Sequence, residues 1–206
     1  MITASDVKSA FSRAAEALRT NSEYLVELDQ QLGDGDLGIT ARKIADALGE
    51  YLSQNQNEND MGKLIIGAGM KINSAAPSTM GSLLAIALMR MGKIGKEQIE
   101  IDDKTLAEML KAATAAIQEK GKAKLGDKTI LDALIPATNV FADAINQGKA
   151  LQEAGKLMQA AAEAGLDSAT PLRSQVGRAS WVGDRTEGKI DPGCALLVCV
   201  LEGLIN

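Results

Sequence analysis

Asp29, Asp34 and Asp36 are the residues best placed to do chemistry in this chain. They share one stretch, Leu28-Asp29-Gln30-Gln31-Leu32-Gly33-Asp34-Gly35-Asp36-Leu37-Gly38. Asp29 is expected on the last turn of a helix, and Gly33 and Gly35 permit the positive φ of a tight turn. Such a turn swings Asp34 and Asp36 back towards Asp29. Converging carboxylates repel one another unless a cation neutralises them. Hard oxygen ligands favour magnesium or calcium over zinc, and the chain holds no histidine. An EF-hand does not fit. With Asp34 in its first position, Ile39 falls where a glycine is required and Ala45 where a glutamate is required. Magnesium takes a few carboxylates and shares its other positions with water and phosphate oxygens, so the stretch reads as a magnesium–nucleotide site. The plain alternative is an acidic, glycine-rich turn between two helices.

Two further stretches have chemistry suited to phosphate. Asn73-Ser74-Ala75-Ala76-Pro77-Ser78-Thr79-Met80-Gly81-Ser82 precedes an apolar run, Leu83 to Met91. Pro77 ends one element, and Ser78 or Thr79 caps the next. A small-residue loop at a helix N-terminus presents backbone N–H groups to a phosphate or a nucleotide edge, or is simply a helix cap. The second stretch is the long loop from Gly177 to Gly193, which holds the only Trp, two Arg and four Gly. Arg forks bind phosphate in a bidentate way. Asp191-Pro192 is a standard helix opening, with Asp capping and Pro at the first position. The loop reads as a nucleotide lid or as a surface connection.

The elements that position these residues are helical. The chain has 206 residues, 46% of them hydrophobic but only 2% aromatic, so its core is built from aliphatic side chains and Met. That suits closely packed helices better than a β-sandwich. Thr3 or Ser5 caps a first helix reaching about Arg19. Thr20-Asn21-Ser22-Glu23 has capping-box spacing for a second helix into the acidic turn. A third runs from about Gly38 to Leu52. Asp60 caps a fourth, from Met61 to about Asn73, followed by the apolar run after Ser78. Thr105-Leu106-Ala107-Glu108 opens another, to Glu119. Helices over Ile130–Asn146, Ala150–Ala164 (closed by Gly165) and Cys194–Leu204 complete the set. No strand pattern and no repeat are found. About eight helices with mostly short loops favour an antiparallel bundle in one domain.

Composition excludes other classes. A net charge of −5 with few aromatics argues against nucleic acid as a partner. No apolar run approaches ~18 residues, so no membrane span is expected. The start has no signal-peptide pattern, and Cys194 and Cys199 lie five apart on one helix, facing different sides, so no internal disulfide is expected. The cytoplasm is the default compartment.

Taken together, these motifs match one family. Leu28-Asp29…Gly33-Asp34-Gly35-Asp36…Gly38, Gly126-Asp127-Lys128-Thr129, and Gly177-Arg178-Ala179-Ser180…Gly183…Arg185…Gly188…Asp191-Pro192-Gly193 occur in this order along the chain. In this the chain resembles the nucleotide-binding L subunit of dihydroxyacetone kinases over essentially its full length. The resemblance implies an all-α fold, an eight-helix antiparallel up-and-down barrel spanning residues 1–206 with the nucleotide at one end. Asp29, Asp34 and Asp36 match the family's ligands for magnesium, with two ions expected. Nucleotide contacts would fall on Leu37, Gly38, Ile39 and Thr40, on Ser78 and Thr79, on Gly121 and Ile130, on Arg178, and on Asp191, Pro192 and Gly193. Arg178 would be the catalytic residue, a positive group at the phosphates. The cofactor would be ADP or ATP. The subunit would pass a phosphoryl group to dihydroxyacetone, or a similar short ketose, held on a partner K subunit. The donor is ATP in some members. In others a bound nucleotide is recharged by a phosphohistidine M subunit of the phosphotransferase system, which a free-standing subunit of this length resembles more. A homodimer is the expected assembly. The alternative is a non-catalytic, nucleotide-sensing relative acting through a regulatory protein. Three positions depart from the family: Leu37 replaces its His, Ile39-Thr40 stands near its Asn, and the small-residue loop before Ser78 has fewer glycines.

Overall fold

The computed structural model describes residues 1–205. Nine α-helices are found among them: α1 (Ala4–Thr20), α2 (Ser22–Gln30), α3 (Asp36–Gln54), α4 (Met61–Ala75), α5 (Thr79–Ile94), α6 (Asp103–Gly121), α7 (Ile130–Asn146), α8 (Leu151–Ala169) and α9 (Pro192–Ile205). They form eight columns. α1 and α2 make one bent column, broken at Asn21, whose side-chain amide and backbone N–H both donate to the Ala17 carbonyl, at 2.9 and 3.0 Å. No capping box makes this break: the Asn21 side chain accepts no cap bond, and Thr20 ends α1. The columns close a ring. α1 packs on α3, each of α3 to α9 packs on the next, and α9 returns to α1, while α2 bridges α3 and α9.

Short connections force neighbouring columns to run antiparallel. Four connections therefore lie at one end of the ring: residues 31–35, 76–78, 122–129 and 170–191. The opposite end holds a two-residue antiparallel strand pair, β1 (Ile2–Thr3) with β2 (Glu100–Ile101), in which Ile2 faces Ile101. The sequence pattern does not announce strands this short.

Most boundaries follow caps with a side-chain oxygen. Thr3 and Thr129 make capping boxes with Asp6 and Asp132, and Asp60 accepts from the Lys63 N–H at 2.9 Å. α6 begins earlier than its Thr105 signal, because Asp102 accepts from the Thr105 N–H at 2.7 Å. α8 runs past Gly165, which is not a stop. A Cβ there would stand 2.3 Å from the Asp132 carbonyl of α7, so Gly165 lets the two helices touch.

A ring of eight is too wide for aliphatic side chains to fill. It encloses an apolar axial cavity of about 580 Å³, lined by Phe11, Ile44, Leu88, Phe141, Leu196 and Leu201 among others. Cys194 and Cys199 are buried free thiols on α9. Among the described residues no helix is long and apolar enough to cross a membrane.

Candidate magnesium–nucleotide site

The acidic stretch folds into a tight turn between α2 and α3. The Gln31 and Leu32 N–H groups donate back to the Leu28 and Asp29 carbonyls and wind α2 down. Gly35 alone takes the left-handed conformation, at φ 77°; Gly33, expected to share it, is not among the residues with positive φ. One left-handed residue is enough to start α3 at Asp36. That helix has no cap from its own segment. Instead the Asp29 carboxylate reaches across from α2 and accepts the Leu37 N–H at 3.1 Å.

This geometry brings the three aspartates together. Asp29, Asp34 and Asp36 each offer a carboxylate oxygen, all within 4.8 Å of one another. Asp29 is half-buried, and its carboxyl is pushed above the usual range by desolvation, with further upward pressure from Asp36 and Asp34; the Leu37 N–H opposes the shift. Three hard oxygen donors, one of them poorly solvated and repelled by the others, fit a hard divalent cation. The Arg178 guanidinium, on a 3-10 turn over residues 178–181, reaches the same cluster. It donates to Asp34 and, at 2.9 Å, to Asp36. These two carboxylates are the strongest influence on Arg178, so the loop carrying it is tied by charge to the acidic turn.

A cavity of about 260 Å³ opens beside the triad. The three aspartates, Leu37, Thr40, Ser78, Thr79, Gly121, Ile130, Arg178, Asp191, Pro192 and Gly193 all line it. Gly38 and Ile39 do not. Gly38 faces α2, where a Cβ would meet the Ser22 carbonyl at 2.1 Å, and the Ile39 side chain is exposed. Both follow from helical rotation: only positions on the inward face of the first turn of α3 point at the cavity. The remaining wall was not legible locally. Leu83 of α5, Ile117 of α6 and Leu131 of α7 supply apolar surface, and Lys128 joins from the α6–α7 turn.

The N-termini of α3, α5, α7 and α9 all border the cavity. Ser78 is the cap of α5, accepting from the Gly81 N–H at 3.0 Å. Asp191 caps α9 through the Cys194 N–H at 2.8 Å. Four converging helix starts present backbone N–H groups and positive dipole ends, which favour an anion.

With this geometry established, comparison with known proteins decides the family. Residues 31–206 match the model of the DAK2 domain. The chain belongs to the DAK2 domain family. It is 32% identical over 192 residues to the ADP-binding subunit DhaL of a PEP-dependent dihydroxyacetone kinase 2 from Listeria innocua, covering 88% of this chain and 86% of that protein. It is 25% identical to the DhaL subunit of the Escherichia coli PEP-dependent dihydroxyacetone kinase, covering 94% and 91%. In fold it is similar to the dihydroxyacetone kinase from C. freundii in complex with AMP-PNP and Mg2+, with a TM-score of 0.75 and 24% identity. That match covers 97% of this chain but 33% of the kinase, so this DAK2 domain spans about a third of that longer chain.

Asp191 is the buried carboxylate lining the cavity, 7% exposed. Burial pushes its carboxyl up to about 6; the Cys194 contacts and Lys128 pull it down, and Asp132 pushes it further up. Its folded value lies above its unfolded value, so the native state binds the extra proton between pH 4 and 6. Its contribution is full below the unfolded value and is lost as pH rises through about 6. Asp191→Asn keeps a capping oxygen and removes the ionisation. Relative to wild type, the variant is expected to gain ~2 to 3 kcal/mol as pH rises across that window. Denaturant melts without nucleotide at several pH values check this. Stability curves that stay parallel would contradict it.

Proposed function

We propose that residues 1–206 act as one nucleotide-binding domain, the L-type subunit of a dihydroxyacetone-type kinase. One observation carries the reading: three carboxylates and an arginine meet at a cavity bordered by four helix N-termini. The relatives named as ADP-binding subunits of PEP-dependent dihydroxyacetone kinases support it.

In this reading Asp29, Asp34 and Asp36 hold magnesium, with two ions in the complete site. Magnesium when bound would clamp phosphate oxygens and offset charge on the transferring phosphoryl group. The chain's own residues do the rest. The starts of α5, α7 and α9 offer N–H groups to the nucleotide. Leu83, Ile117 and Leu131 give a base or ribose face an apolar surface. Arg178 exchanges a carboxylate for phosphate oxygens and supplies a bidentate positive fork there. No nucleophile is required here, because the acceptor hydroxyl belongs to dihydroxyacetone, or a similar short ketose, on the partner K subunit. A nucleotide that stays bound as ADP and is recharged by a phosphohistidine M subunit agrees with the PEP-dependent relatives. A homodimer and a cytoplasmic setting belong to the same proposal.

Thermal melting tests the reading directly. Magnesium and ADP together, at ~100 times the dissociation constant, contribute about 2.7 kcal/mol to the folded state. For a chain of this size that raises the melting temperature by roughly 5–10 °C, well above the effect of either alone. A melting curve that ignores the pair would remove the nucleotide site.

A further inference from the structure

Lys128 sits in the α6–α7 turn with a left-handed backbone, φ 60°. It is 1% exposed, although lysine is among the residues least often buried. Its ammonium has three donors, and all three go to main-chain carbonyls: Thr170 at 2.7 Å, Leu172 at 2.9 Å and Thr186 at 2.7 Å. That leaves none for a carboxylate: every hydrogen bond of the buried charge goes to backbone, and Asp191 acts on it only through space.

The three carbonyls share a position in the chain. Thr170 and Leu172 stand where the chain leaves α8, and Thr186 stands where it returns towards α9. One ammonium therefore closes the base of the excursion that carries Arg178. Smaller contacts draw the same base shut: Gly188 N–H to the Thr170 carbonyl at 3.0 Å and Ser174 N–H to Thr186 Oγ1 at 3.0 Å. A further one, Gln175 N–H to the Asp127 carbonyl at 3.0 Å, joins that base to the α6–α7 turn. At the tip, Arg178 rests on Asp34 and Asp36.

We propose that Lys128 is a positioning residue that fixes the reach of Arg178 over the acidic triad, by clasping both ends of its loop to the α6–α7 turn. This rests on the nucleotide reading above for its effect on binding, but not for its effect on the loop. An ammonium suits the place because it is the donor to the Leu172 carbonyl and adds a second donor to the Thr170 and Thr186 carbonyls, which also accept from the Gly188 and Lys189 N–H groups. An apolar side chain there leaves the Leu172 carbonyl unpaired and removes the tie between it, Thr170 and Thr186, and the loop opens to let water in.

The test uses Lys128→Met, which keeps the stem and removes the donors, and Lys128→Gln, which keeps some of them. Trp181 is the only tryptophan, 92% exposed on the same 3-10 turn as Arg178, so its fluorescence anisotropy reports the loop without any ligand. Lys128→Met is expected to lower that anisotropy, with Lys128→Gln between it and wild type. Calorimetry with magnesium and ADP is expected to show about tenfold weaker binding in Lys128→Met. In an Arg178→Gln background the same change is expected to cost less than about twofold, because residues acting through one another are not additive. Unchanged Trp181 anisotropy, equal losses in both backgrounds, or failure of both Lys128 variants to fold would each overturn the proposal, leaving Lys128 a purely structural residue. Absence of ADP binding in wild type alongside a lowered anisotropy in Lys128→Met would instead overturn the nucleotide reading and keep the clasp.

Discussion

Asp34→Asn and Asp36→Asn are each expected to abolish magnesium-dependent ADP binding while the helical fold persists. Both side chains are about half exposed, and among the described residues Arg178 is their one ion-pair partner. Neutralising either removes repulsion on Asp29 and costs the fold little, since exposed ion pairs contribute ~0–1 kcal/mol. The ligand side is different. A neutral amide is a poor replacement for a carboxylate on a hard divalent ion, and losing a direct ligand should exceed the ~10–100-fold cost of losing an outer partner. An affinity loss of at least about 100-fold is therefore expected, near 3 kcal/mol. Calorimetry with circular dichroism on the same samples reads both halves. Wild-type ADP affinity in both variants would remove the triad from the site.

Arg178→Lys is expected to weaken phosphoryl transfer more than it weakens ADP binding. Arg178 meets Asp34 and Asp36 through one nitrogen, Nη1, and its guanidinium can present two parallel donors to phosphate oxygens. Lysine keeps the charge but loses the fork. A positive group counts most where charge is shared among the phosphate oxygens in the transition state. Turnover is expected to fall about 100-fold, against less than about tenfold in affinity, in line with the loss of one stabilising donor. The measurement needs a K-type partner and both quantities on one variant. Equal losses would make Arg178 a ground-state anchor, and no loss in either would take the loop out of the site.

The DAK2 site was legible where its chemistry is local. Asp29, Asp34 and Asp36 fall within eight residues, so spacing and one left-handed glycine are enough to converge them. Helix starts at Ala4, Met61, Thr79, Ile130 and Pro192 were legible for the same reason, since a cap acts over three residues. The start of α6 was misplaced because two overlapping caps compete there and Asp102 wins.

Other features depend on pairs distant in sequence. Periodicity marks which helices form and which face is apolar, but not that α9 returns to α1 and closes eight columns into a ring. That closure gathers the starts of α3, α5, α7 and α9 at one end, where four separate caps border one cavity. The same dependence separates Leu37 and Thr40, which line the cavity, from Gly38 and Ile39, which do not. It also governs Gly165, read locally as a stop but used as a contact with α7. Lys128 is the extreme case. Its partners lie 42 to 58 residues away and are all main-chain carbonyls, whose positions no side-chain pattern encodes. The sequence by itself determined the convergence of three carboxylates and the helices, because both arise from contacts within a few residues. Only the tertiary structure decided which groups share the cavity and what holds Arg178 above it, because ring closure sets those distances.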